Sequence, residues 1–199
     1  MNENNLTEYQ QYLFDHMYSR LKNATVETDP FEYIIVKDFL PDEEYQRSLD
    51  HKSYDRTDLS RAVAPLRHFF FDTFSNAKDP KVESFNLQLT EWNQGYSYRP
   101  HLDGGPRVFS MIIFQPEHDL HPWLGTALYR KVDNDFRLVS HGPYLPNVAM
   151  AFPCGFDHWH GNELQMEEHR RKAMLCFFYN QKLTEQHGWD MEGYVEYDE

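Results

Sequence analysis

The sequence is poor in several things, and each shortage removes a class of function. Of its 199 residues only two are cysteines, Cys154 and Cys176, with no CxxC spacing. Buried free thiols in a reducing compartment are therefore expected in preference to a disulfide. No run approaches the eighteen apolar residues of a membrane span. The opening "MNENNLTEYQ" is polar and acidic, unlike a secretion signal or transit peptide, so a cytoplasmic protein is expected. Basic residues are also scarce: 19 Lys and Arg face 32 Asp and Glu, a net charge of -13. With no basic stripe, nucleic acid and anionic membrane surfaces are poor partners, because phosphate binding depends on clustered cations. A small anionic ligand stays compatible, since one buried arginine can hold it locally. Repeats, low-complexity tracts and obvious linkers are missing too. The length suits one domain over 1–199, with a core at about 30–180, an N-terminal helix within 1–29 and an acidic tail at 181–199.

What the chain does have is aromatic bulk, 16% Phe, Trp and Tyr, and clear periodicity. Residues 6–22 carry Leu6, Tyr9, Leu13, Met17 and Leu21 at helical spacing. "PFEYIIVKDFL" (30–40) reads as a strand running into a helix at "PDEEYQRSL", with Pro41 in its first turn. A further helix is predicted over about 59–76. From residue 85 the period becomes two. "FNLQLTEW", "RVFSMIIFQ" (107–115), "TALYRKV" (126–132), "FRLVSH" (136–141), "NVAMAF" (147–152) and "KAMLCFFYN" (172–180) read as strands. Helices followed by strands predict an α+β fold with the strands in a sandwich or barrel.

Within this pattern "YRPHLDGG" places His101 and Asp103 two apart, so on a strand both aim at one point. A facial iron site needs one more ligand and leaves three positions open. "CGFDHWHGNEL" supplies His158 and His160. His160 is preferred: Gly161 gives it room, and Asp157 and Glu163 flank it as outer partners. Eleven residues further on, two arginines open an apolar strand. A buried arginine there calls for an anion, and its planar fork fits a carboxylate. Arg171 shares a face with Ala173, Leu175 and Phe177, whereas Arg170 shares one with Lys172, so Arg171 is the inward one.

"EWNQGYSYRPHLDGG", "WHGN" and "RRKAMLCFFYN", in that order, resemble the 2-oxoglutarate and Fe(II)-dependent dioxygenases, and most closely their prolyl-4-hydroxylase-like branch. The resemblance extends over about 30–180, because "PFEYIIVKDFLPDEEYQRSL" is similar to the opening strand and helix of that branch. It implies a double-stranded β-helix (a jelly-roll, cupin-like barrel) with N-terminal flanking helices. It also implies Fe(II) on His101, Asp103 and His160, 2-oxoglutarate on Arg171, O2 as oxidant and ascorbate as reductant. The implied reaction is hydroxylation of a C–H bond on a small molecule or a peptide, coupled to conversion of 2-oxoglutarate to succinate and CO2.

Some positions depart from the branch. Phe114 and Trp92 stand where tyrosines are usual, so a hydroxyl contact to the co-substrate falls to Tyr98, Ser110 or Tyr129. "GTALY" (125–129) resembles the family's glycine-led strand opposite the metal. Asp103 points to hydroxylation, since related halogenases have Ala or Gly there. Phe177 stands where the nucleic-acid demethylases carry a second arginine. The aromatic residues Tyr96, Tyr98, Trp123, Tyr144, Phe156 and Trp159 suit stacking on a substrate ring and, equally, ordinary core and lid packing. The alternative class is a non-catalytic metal- or ligand-binding protein on the same barrel.

Overall fold

The computed structural model describes residues 6–75, 82, 84–92, 99–116, 121–162, 170–180 and 195–196. Helix α1 (Glu8–Leu21) starts at a capping box, in which Thr7 and Gln10 satisfy each other's backbone N–H groups, and it buries Leu13, Met17 and Leu21. Strands β1 (Val26–Glu27) and β2 (Tyr33–Val36) lead to α2 (Asp42–Ser48), which Pro41 caps from outside its first turn. The helix predicted over 59–76 is instead two helices, α3 (Thr57–Val63) and α4 (Arg67–Thr73), joined by a 3-10 turn at Ala64–Leu66. Pro65 is the reason: it cannot donate to the preceding turn and its ring clashes there.

The strands that follow are β3 (Ser84–Trp92), β4 (Arg107–Phe114), β5 (Ala127–Val132), β6 (Asp135–His141), β7 (Val148–Pro153), β8 (His160–Gly161), β9 (Arg171–Tyr179) and β10 (Val195–Glu196). The two-residue strands β1, β8 and β10 are too short to show a period and were not predicted. The acidic tail, apart from β10, lies outside the described residues. Seven strands form one antiparallel sheet in the order β1-β2-β7-β4-β9-β3-β10, and three form a second in the order β6-β5-β8.

The larger sheet has two dissimilar faces. Phe85, Leu87, Phe109, Met111, Ile113, Met174, Cys176 and Phe178 pack with the helices in one buried cluster. Ile112, Phe114, Val148, Met150, Phe152 and Ala173 form a second cluster with Leu124, Leu128 and Tyr144. No helix among the described residues is long and apolar enough to cross a membrane.

Candidate metal centre and its cavity

His101 and His160 form an antiparallel bridge, each donating its backbone N–H to the other's carbonyl at 2.9 and 3.0 Å. Directly opposed residues project to the same side, so the two imidazoles lie side by side with centroids 4.5 Å apart. Asp103 Oδ2 lies 3.5 Å from His160 Nε2. One donor atom from each of His101, Asp103 and His160 falls within 4.8 Å of the others.

The imidazoles are presented in one tautomer. His101 Nδ1 donates to the Arg99 carbonyl at 2.9 Å, and His160 Nδ1 donates to the His158 carbonyl at 3.0 Å. A carbonyl only accepts, so Nδ1 carries a proton, and in the neutral form of either ring Nε2 is the atom with the free lone pair. Burial, and then the neighbouring His160, push His101 below its ordinary pKa and keep it neutral. Burial pushes Asp103 upward, but His160, Arg107 and Ser110 together hold it well below the usual carboxylate range. Two imidazoles and one ionised carboxylate on one side of a point are the donor set of a non-haem Fe(II) site. The residues present fit that metal.

Asp103 is fixed from behind. Ser110 Oγ donates to Oδ2, and Arg107 pairs with Oδ1 at 2.5 Å. The turn that makes this possible runs through Gly105, whose φ of 71° is open to glycine and strained for other residues. The expected acidic partners of His160 do not take that place. Asp157 is exposed, Glu163 lies outside the described residues, and the His158 carbonyl serves instead. His158 itself is buried, its Nδ1 donating to the Pro153 carbonyl at 2.6 Å.

The three residues open into a cavity of about 140 Å³ that is also lined by Gln88, Trp92, Arg107, Ser110, Thr126 and Arg171. Arg171 is 5% exposed; its Nε donates to the Leu124 carbonyl at 2.7 Å and its Nη2 to Thr126 Oγ1 at 3.3 Å. Its guanidinium lies 4.5 Å from the Trp92 ring centroid and 5.7 Å from that of Phe114. Arg170 is exposed at the surface, 3.6 Å from Glu91.

Of the other residues considered from sequence, Ser110 lines the cavity but serves Asp103. Tyr129 is buried on β5 and is not among the residues lining the cavity, and Tyr98 lies outside the described residues. Tyr144 is a core residue, 1% exposed and edge-on to Phe114, so it offers no ring to a substrate. Trp123, Phe156 and Trp159 also stand apart from the lining, and Tyr96 lies outside the described residues. Thr126, Gln88 and Arg107 were not anticipated. Thr126 had a usable signal, since it follows the glycine of "GTALY" at the start of a strand.

No family model and no curated protein matches the sequence. Solved structures do. A prolyl-4-hydroxylase from Pseudomonas putida superposes with a TM-score of 0.54 at 16% identity, covering 86% of this chain and 94% of that one. A prolyl hydroxylase from Trichoplax adhaerens, in complex with a hypoxia inducible factor oxygen degradation domain peptide fragment, superposes with a TM-score of 0.51 at 10% identity, covering 94% and 99%. The chain is thus similar in fold to the prolyl hydroxylases, a jelly-roll type of arrangement and the branch that its sequence resembles.

Proposed function

We propose that this protein is a 2-oxoglutarate- and Fe(II)-dependent dioxygenase that hydroxylates a C–H bond of a small molecule or a peptide residue. In this reading the two sheets are the halves of a double-stranded β-helix, and the chain is one catalytic domain. The observation that carries it is the convergence of His101, Asp103 and His160 in a cavity that also holds the buried Arg171.

His101, Asp103 and His160 would hold Fe(II) through Nε2, a carboxylate oxygen and Nε2, occupying one side of it. Bound there, iron supplies the oxygen chemistry that couples 2-oxoglutarate decarboxylation to C–H oxidation. Arg171 pairs with the far carboxylate of 2-oxoglutarate, and the Thr126 hydroxyl supplies the donor that the absent tyrosines would have given. Trp92 and Phe114 wall the guanidinium, excluding water and strengthening its charge-assisted bonds. The Arg99 and His158 carbonyls keep both Nε2 atoms aimed at the metal, and Ser110 and Arg107 keep the Asp103 carboxylate from rotating. The peptide bound by the Trichoplax enzyme is consistent with a peptide substrate here as well as a small one.

The test is succinate release from 2-oxoglutarate under air, with Fe(II) and ascorbate present, compared with metal-free protein. Iron-dependent succinate formation is expected even without a prime substrate, as slow uncoupled turnover. Protein that binds Fe(II) and leaves 2-oxoglutarate unconsumed would be a binding protein, and the reading would be wrong.

A further inference from the structure

Most polar side chains around the cavity are already committed. Ser110 donates to Asp103, and Thr126 accepts from Arg171. Arg107 is turned to this side by a β-bulge, the register of β4 shifting between Arg107 and Phe109. There it pairs with Asp103, donates to Tyr179 and lies 4.0 Å from the Phe177 ring centroid. Asn162 is engaged as well. Gln88 is the exception. It is half-buried on β3, it lines the cavity, and its carboxamide has no hydrogen-bond partner among the described residues.

Strand register fixes where along the cavity that carboxamide stands. Across the larger sheet Ile112, Leu175 and Gln88 are paired in one row. One row away in one direction are Ser110 and Phe177, and Ser110 anchors Asp103 there. One row away in the other are Phe114 and Ala173, and the Arg171 guanidinium lies against Phe114 and Trp92. Rows on one face are two residues apart, about 7 Å. Gln88 therefore stands between the metal-binding group and Arg171, beside any ligand that bridges them.

Under the dioxygenase reading, on which this inference rests, that ligand is 2-oxoglutarate. Water can reach a half-buried carboxamide in the free protein, and a bound ligand displaces it. That displacement is unfavourable unless the ligand offers a hydrogen-bond partner in return. The middle of 2-oxoglutarate is two methylenes and offers none. Its far carboxylate is met by Arg171 and Thr126. Its near carboxylate, beside the oxo group, binds a metal through one oxygen and leaves the other as an acceptor. We infer that Gln88 donates through Nε2 to this metal-end carboxylate. β3 thus holds the 2-oxo acid end of the co-substrate, while β9 holds the opposite end.

Full-length protein loaded with Zn(II), which does not turn over, is titrated calorimetrically with 2-oxoglutarate and, by competition, with two of its fragments. Pyruvate keeps the 2-oxo acid end and lacks the far carboxylate. Levulinate keeps the far carboxylate and the oxo group and lacks the near carboxylate. Gln88→Met removes the amide at similar volume. It should weaken 2-oxoglutarate and pyruvate by about tenfold each, and levulinate by no more than about twofold. Gln88→Leu should reproduce that pattern. Arg171→Gln should give the opposite one, weakening 2-oxoglutarate and levulinate and sparing pyruvate.

Unchanged 2-oxoglutarate affinity in both Gln88 variants overturns the inference and leaves the dioxygenase reading standing. So does a loss for levulinate as large as that for 2-oxoglutarate. A fall in Zn(II) loading in both variants would make Gln88 a support of the metal-binding group, and overturns it too. Wild-type protein that fails to bind Zn(II) and 2-oxoglutarate would take down the dioxygenase reading, and this inference with it.

Discussion

Along β9, Met174, Cys176 and Phe178 point to the helices and are sealed from water, while Arg171, Leu175 and Phe177 point the other way and line the cavity. β4 divides similarly, with Met111 and Ile113 on the helical side and Ser110 and Ile112 on the cavity side. One set of strands therefore carries two kinds of surface. The helical face is apolar and held by packing, so its residues act through volume. The cavity face holds two arginines, an aspartate and a serine, whose partners are individually placed. Stability and chemistry are separated by a period of two.

Substitutions on the two faces should fail in different ways. The largest effect is expected at Phe178, fully buried against Phe70 and Phe85. Phe178→Ala should lower the unfolding free energy by about 3–5 kcal/mol, read by urea titration. Where the variant is still folded, its affinity for 2-oxoglutarate should be unchanged; a large loss would break the separation of the faces. On the cavity face, Asp103→Ala should reduce Fe(II)-dependent succinate formation by about a hundredfold or more, with the metal affinity falling alongside. Full turnover in that variant would remove Asp103 from the metal centre.

Smaller effects sharpen the same contrast. Arg171→Gln should raise the KM for 2-oxoglutarate roughly ten- to a hundredfold, with little change in Fe(II) affinity, because it removes a charge-assisted pair remote from the metal. Thr126→Val keeps the volume and removes only the hydroxyl, so the 2-oxoglutarate KM should rise by a few-fold. The smallest effect belongs to Arg170, the neighbour of Arg171 on the outer surface. Arg170→Ala should shift stability by no more than about 0.5 kcal/mol and leave the KM alone.

Much of this division is legible in the alternation of the sequence. The six longer strands appear at nearly their observed bounds, because a half-buried strand must alternate to bury one face. The parity separating Arg171 from Arg170 has the same origin, and the structure has the first buried and the second at the surface. Legibility stops where a local irregularity breaks the period. Pro65 divides a run of helical residues that otherwise looks continuous, and the bulge at Arg107 reverses the side its parity assigns. Asp157 looked like a partner for His160 by proximity in sequence, but a backbone carbonyl took that role. Backbone groups carry no residue-type signature, so such a partner cannot be read from a string of side chains.

The sequence by itself determined the order of elements, the face of most strand residues and the chemical types of the candidate metal-binding group. Those follow from local rules: sterics fix the period, and the side chain fixes the donor. Only the tertiary structure brought His101 against His160 across 59 residues, set Thr126 beside Arg171 and turned Arg107 onto Asp103. These depend on strand pairing and on one extra residue in a ladder, a register that is decided by the assembled sheet as a whole.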